Sequence, residues 1–314
     1  MVNVECGRRR GAGTLGAWAL MLAVLGAGCD PGSGAPAPGE DLATQRQAAL
    51  SYNALSFNGL SFNGLSFNGL SFNGLSFNGL STASFAQWFS ADPALAEQVM
   101  RYVVRCAVPQ GQTRSYTDAQ TNTVHTWPGL LGLAPGWANG APPTLAEQQM
   151  VSACLAAHAN RFGVSVPISV LGRNGQGAPI PTTAEELATF TRPESCFFGN
   201  VFQGQGLYAG SQNPPLTAAQ STTRACAVVD GSGHPRMTCA PLAYVGSCSA
   251  VCTREGTSLA FTSCTVGGVT FQPLTTRVRD ADLAACGDGI CQVTESCGAS
   301  NTYDACAADC GACP

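Results

Sequence analysis

The chain has 314 residues, a formal net charge of −4 and only 11% charged residues, with all 15 basic residues being arginine. Such a balance offers no basic patch and excludes nucleic acid as a partner class. A hydrophobic content of 45% still lets the chain bury a core, and 37 glycines with 19 prolines imply many turns.

At the N-terminus, Arg8, Arg9 and Arg10 precede an uncharged apolar run from Leu15 to Ala27, which reaches Cys29 and stops at Asp30-Pro31-Gly32. A basic start, a short apolar stretch and small residues before a cleavage point mark a secretory signal. The run falls short of the roughly 20 apolar residues a membrane-spanning helix needs. Residues 25–29, Leu-Gly-Ala-Gly-Cys, resemble the end of a bacterial lipoprotein signal, although Gly26 stands where that family usually has leucine. The resemblance implies that 1–28 is a signal peptide, that Cys29 is lipidated (palmitate among its chains), and that the mature protein is held to the cell envelope. The expected location is the outer membrane, on its periplasmic or surface face. Buried acyl chain contributes ~0.8 kcal/mol per methylene, so more than one chain makes release negligible.

Residues 29–50 are Pro/Gly/Ala-rich and then polar, and read as a flexible linker. Residues 51–83 read as a repeat spacer: Ser56 to Leu80 is Ser-Phe-Asn-Gly-Leu five times without change, behind a worn copy at Ser51-Tyr52-Asn53-Ala54-Leu55. A period of five gives no continuous apolar face. In a strand each copy flips Phe and Leu to the opposite side, and in a helix successive copies advance about 140° past a full turn. Asn-Gly adds a turn signal to every copy. Linker and spacer together span roughly 40 Å root-mean-square as a flexible chain.

A disulfide-braced domain is expected over 84–280. Asp92-Pro93 starts a helix, with Leu95, Val99, Tyr102, Val103 and Cys106 at helical spacing. Thr144 with Glu147 forms a capping box for a second helix, striped by Met150, Val151, Cys154, Leu155, His158 and Phe162 and ended by Gly163. Each helix carries a cysteine on its apolar face, so a Cys106–Cys154 bridge is expected. Between the helices, Thr113–Thr117 and Thr123–Trp127 read as a hairpin around Asp118–Asn122. Val164–Leu171 reads as a strand, and Thr183 with Glu186 as a further capping box heading a short helix. Ala225–Val229 and Arg236–Ala240 flank Asp230-Gly231-Ser232-Gly233, and Leu259–Val266 and Val269–Leu274 flank Gly267-Gly268. The predicted fold class is α+β, with two N-terminal helices, a later antiparallel sheet and a small cysteine-rich module at 281–314.

The chain holds 16 cysteines; Cys6 leaves with the signal and Cys29 takes lipid. The domain keeps eight, Cys106, Cys154, Cys196, Cys226, Cys239, Cys248, Cys252 and Cys264, and the tail six, Cys286, Cys291, Cys297, Cys306, Cys310 and Cys313. Both sets are even, as pairing in an oxidising compartment requires, and export argues against thiolate zinc sites.

Motifs of chemistry are sparse. Asp230-Gly231-Ser232-Gly233-His234 superficially resembles a serine-protease nucleophile turn but fits a hairpin turn better. Three histidines, His125, His158 and His234, are too few for a multi-histidine metal site. Glu185 and Glu186 suit a helix start better than an acid/base pair. In the tail, Asp288, Glu295, Asp304 and Asp309 are oxygen ligands of the kind calcium takes, although the spacing is not that of an EF-hand. No other cofactor is expected.

The run Cys286-Gly287-Asp288-Gly289-Ile290-Cys291, followed by Glu295, Cys297, Cys306, Asp309-Cys310 and Cys313, resembles disulfide-rich repeats of secreted and surface proteins of high-GC bacteria. Arg101–Pro109, Gly132–Trp137, Val151–Leu155 and Phe197–Asn200 resemble uncharacterised lipoproteins of the same bacteria. These resemblances imply an envelope address and no activity. The leading expectation is therefore a non-catalytic envelope lipoprotein with an adhesion, binding or surface-structural role. It would be held to the membrane by its lipid and would meet a protein or glycan partner. The alternatives are a hydrolase with an unrecognised active site and a calcium-dependent interaction module.

Overall fold

Two helices open the described fold and meet at Asp92. The computed structural model describes residues 80, 82–159, 167–212, 220–221, 242–280, 284–291, 295, 297–298 and 305–313. The chain divides into two units, 1–41 and 42–314, and all described residues lie in the second. Helix α1 is Ala83–Ala91, where Thr82 accepts from the Phe85 amide as N-cap. Helix α2 is Pro93–Ala107, begun by Asp92, whose carboxylate accepts from the Leu95 amide at 3.1 Å. Both caps satisfy amides that the first helical turn leaves without partners. The hairpin pairs β1 (Thr113–Thr117) with β2 (Val124–Pro128), antiparallel.

A short turn of helix, α3 (Pro135–Ala138), leads to α4 (Leu145–His158). The capping box at Thr144 is present: the Glu147 carboxylate accepts from the Thr144 amide at 2.9 Å while the Thr144 hydroxyl accepts from the Glu147 amide. The sequence predicts one apolar stripe, but every residue from Glu147 to His158 is buried. A central helix can bury polar side chains only when they are hydrogen-bonded. Gln148 donates to the Pro143 carbonyl and accepts from Asn200. Gln149 accepts from the Gln272 amide, and the Ser152 hydroxyl accepts from the Val201 amide. Gln148 and Ser152 thus hold the Asn200–Val201 turn against α4, and Gln149 holds the segment at Gln272. The helix ends at His158, before the predicted Phe162, which lies outside the described residues.

The main sheet has five strands in the order β3-β11-β4-β5-β7. They are β3 (Ser169–Leu171), β4 (Arg192–Gly199), β5 (Leu207–Ser211), β7 (Leu242–Ser247) and β11 (Leu274–Val278). Three neighbouring pairs are antiparallel and β5–β7 is parallel. Alternation along β4 sends Phe197 into the main core with α4, and Cys196 and Phe198 into a second cluster with Cys248, Cys252, Cys264, Phe261 and Phe271. That second cluster is roofed by a small antiparallel sheet of β8 (Cys252–Thr253), β9 (Ser263–Val266) and β10 (Val269–Phe271). The fold is α+β, with seven α-helices, largely antiparallel sheets and a disulfide-rich C-terminal cluster among the described residues.

Other helices complete the frame: α5 (Ala184–Thr189), α6 (Cys248–Val251) and α7 (Ala307–Cys310). Thr183 caps α5, but the Glu186 carboxylate does not close a box; it turns inward and accepts from the buried Ser169 hydroxyl at 2.7 Å. Strand β3 begins at Ser169, the expected start at Val164 lying outside the described residues, and β9 begins at Ser263 rather than Leu259. A two-residue strand, β12 (Ala284–Ala285), pairs with β6 (Gln220–Ser221) and so joins the cysteine-rich tail to the domain. The expected pair Ala225–Val229 and Arg236–Ala240, with the turn between them, lies outside the described residues.

Candidate binding groove

Phe85 and Phe89 lie one turn apart on α1 and are both buried. On β1, side chains alternate, so Arg114 and Tyr116 point inward while Thr113, Ser115 and Thr117 are exposed. Tyr116 meets Phe85 edge-on at 4.9 Å and Phe89 at 4.8 Å. From β2, His125 and Trp127 stack with ring planes 14° apart, and Trp127 is buried. Aromatic contacts of this kind add about 0.5–1.5 kcal/mol per pair beyond area burial. They fix the angle at which the hairpin leans on α1.

His125 Nδ1 lies 2.7 Å from the Glu97 carboxylate, which also meets Arg101 at 3.7 Å. Spacing in the sequence gave no sign of the His125–Glu97 pair, because its partners come from separate elements. It braces β2 against α2. At the hairpin turn, Asp118 accepts the Gln120 amide at 2.9 Å and the Thr121 hydroxyl at 2.8 Å, and these bonds hold its pKa below the ordinary carboxylate value. A depressed folded pKa means the turn's stabilisation is complete above the unfolded value of ~3.9 and is lost as pH falls through the folded one. Protection of the Asn122 amide, which donates to the Asp118 carbonyl, measured against its intrinsic exchange rate at each pH, should therefore fall only below about pH 4. Loosening near neutral pH, or an unchanged acid profile in Asp118→Asn, would contradict that role.

Between α1 and β1 runs an open groove of about 590 Å³, walled by Leu80, Thr82 and Ala86 on one side and Arg114, Ser115 and Tyr116 on the other. A further stretch of about 580 Å³ carries it past Ala86 and Tyr116 to Ser90, Asp118 and Gln120. Leu80, the last residue of the last repeat, is only 7% exposed and belongs to the main core. Leu80, inside the repeat region, thus packs into the core upstream of the expected boundary at Ser84.

One wall of the groove is a strand edge. Asp118 donates to the Thr123 carbonyl and Gly129 to the Gln112 carbonyl. Ladder bonds in an antiparallel pair alternate, so the backbone groups of Arg114 and Tyr116 face β2 while those of Thr113, Ser115 and Thr117 face the groove. Among the described residues the β1–β2 sheet has two strands. The Thr113 carbonyl already accepts from Arg114 Nη1, and an extended peptide could add to the edge by main-chain hydrogen bonds at Ser115 and Thr117.

Comparison with protein-family models, with curated proteins and with solved structures finds no match to this chain. The groove and the cystines therefore stand on their own geometry.

Among the described residues, six disulfides join Cys106–Cys154, Cys196–Cys248, Cys252–Cys264, Cys286–Cys306, Cys291–Cys310 and Cys297–Cys313. The first links α2 to α4. His158 packs beside it, its Nδ1 donating to the Cys154 carbonyl at 2.6 Å and its ring edge-on to Tyr102. Two other cystines nearly touch, with Cys252 Sγ 3.7 Å from Cys196 Sγ. Cys29, Cys226, Cys239 and the Asp230–His234 turn lie outside the described residues. No described helix is long and apolar enough to cross a membrane.

In the tail, Asp309 is a structural clamp. Its carboxylate accepts the Gly287 amide at 2.6 Å and the Gly289 amide at 3.0 Å, which folds the Cys-Gly-Asp-Gly loop over α7. Asp288 accepts the Ile290 amide within that loop. The tail group of three close ligand atoms among the described residues is Cys286, Cys306 and Asp309, in which both sulfurs belong to one cystine; Asp288 and Glu295 are not part of it, and Asp304 lies outside the described residues. Asp309→Asn should lower the tail's stability by about 1–3 kcal/mol, because it weakens two charge-assisted bonds. Chelator should leave its melting temperature unchanged; a fall of several degrees on chelation would instead place calcium there.

Proposed function

We propose that this protein is an exported lipoprotein, anchored to the envelope through acylated Cys29, whose disulfide-braced domain has a non-catalytic binding or surface-structural role. The observation that carries this reading is the cysteine pairing. Twelve cysteines are joined in six bonds, which a reducing compartment would not sustain. Cys226 and Cys239 make an even remainder, and Cys29 is then the odd cysteine of the mature chain, set directly after an apolar signal.

Fractionation of the native host tests the anchor. The wild-type chain should partition with membranes, and Cys29→Ala should release it to the soluble fraction. A Cys29→Ala chain that stays with membranes would contradict the anchor. Affinity capture from the envelope tests the role: a protein or glycan should come along, whereas turnover of ester, amide or glycoside substrates by the purified chain would favour a hydrolase.

A further inference from the structure

We propose that the groove between α1 and β1 seats one Ser-Phe-Asn-Gly-Leu copy of this same chain, the one that ends at Leu80, laid as a third strand on the edge of β1. The inference is independent of the lipid anchor.

Four observations lead to it. First, the domain already holds one residue of the repeat: Leu80 is buried in the main core and forms the groove wall. The chain preceding it must leave from that wall, so the copies upstream are delivered to the groove by covalent attachment. A short tether of this kind gives an effective concentration in the mM range, so even a weak site fills. Second, the edge is lightly defended. Native sheets blunt exposed edges with Lys, Pro, inward charges or bulges, or cover them. On β1 the inward-pointing Arg114 is one such device, whereas Thr113, Ser115 and Thr117 carry none and β1 has no bulge against β2. Third, dimensions agree: β1 and the repeat unit are each five residues long, about 17 Å when extended. Fourth, the chemistry agrees. The repeat has no charge, and the groove beside Leu80 has an apolar floor of Ala86 and Tyr116 rimmed by Thr and Ser hydroxyls, with the Arg114 guanidinium held by the Thr113 and Ala138 carbonyls.

A docked copy explains how a period of five finds a face. One copy alone needs only a single alternation to place Phe and Leu, so the register conflict between successive copies does not arise within it. The remaining copies stay as spacer. The number of copies can then vary without disturbing the domain, because the docked segment is the same whichever copy precedes it.

The test uses the full chain. In the wild type, the Ser115 and Thr117 amides should exchange slowly, although β2 does not bond them. A protease that cuts after Phe should cleave at Phe77 roughly tenfold or more slowly than at Phe57, since cleavage there requires local opening. Ser115→Pro removes the groove-facing donor while leaving every β1–β2 ladder bond, because proline is tolerated on an edge. It should equalise the Phe77 and Phe57 rates, whereas Ser115→Ala, which keeps the amide, should not. Equal cutting at both sites in the wild type, or fast exchange at Ser115 and Thr117, overturns the proposal even if the proline variant fails to fold. Protection that rises with protein concentration would assign the groove to the repeat of a second copy and likewise overturn the assignment within one chain.

Discussion

Replacing Cys106 and Cys154 together by alanine should destabilise the domain by about 4 kcal/mol, the cost of opening a loop of this length in the unfolded chain. The bond spans 48 residues and joins α2 to α4, the two helices on which the main core is built. Both sulfurs are fully buried, so packing lost at two methylene-sized gaps adds to the entropic effect. Removing Cys252 and Cys264, only 12 residues apart, should cost about 3 kcal/mol on the same reasoning. Denaturant midpoints of the two double variants, compared at equal m-value, give the order. A loss below about 1 kcal/mol for the Cys106–Cys154 pair would mean that the helices hold without their bridge.

Gly199→Ala should be the most damaging single methyl group in the sheet. Gly199 adopts φ +137, and a Cβ there would stand 2.3 Å from the Gly206 carbonyl oxygen and 2.9 Å from Leu207 Cα. The clash is with backbone of the paired strand β5, which has no rotamer to yield. Relief requires β4 and β5 to part, and with them the turn in which Asn200 accepts the Gln205 amide and donates to Gln148 on α4. A loss of about 3 kcal/mol or more is expected, through both strained φ and overpacking. Gly204→Ala is the matched control. It also has positive φ, at +65, but a Cβ there meets nothing within 4 Å, so about 1 kcal/mol is expected. Thermal unfolding of the two variants separates steric closeness from backbone conformation. Equal losses would show that the β4–β5 approach is looser than described.

Residue patterns exposed some of these features and hid others, for physical reasons. Helices α2 and α4 were legible because caps and periodic apolar residues act locally: Asp92-Pro93 and Thr144 with Glu147 announce their starts within four residues. The β1–β2 hairpin was legible because one face meets solvent, which leaves alternation in the sequence. Strand β4 was not. Its residues from Glu194 to Gly199 are all buried, between α4 on one side and the cystine cluster on the other. A strand covered on both faces loses its alternation, and β4 buries Glu194 and Ser195 ahead of Cys196, Phe197 and Phe198, so no period-two pattern marks it. The parallel β5–β7 pair was hidden for a different reason: direction follows from the connection, and much of 213–241 has no periodic signal. Glu186 shows how a correct local cue can mislead. Its amide is capped as expected, but the burial of Ser169 draws its carboxylate away from the helix start. The groove was illegible altogether, since it exists only where α1, the end of the repeat and the edge of β1 come together.

The tail gives the opposite lesson. Its acidic residues suggested a cation, and the residue type alone could not say what the oxygens would bind. In the fold Asp309 meets backbone amides, the same partners that a helix N-terminus would offer a carboxylate.

The central claim is an exported chain whose cysteines are all paired except the one that carries lipid. Intact mass of the native protein, taken before and after reduction, tests it most directly. The account predicts a chain beginning at an acylated Cys29, with a gain on reduction that corresponds to seven disulfides, the six described and Cys226–Cys239. A chain cut elsewhere, with a free thiol at Cys29 or with Cys29 in a disulfide, would contradict it.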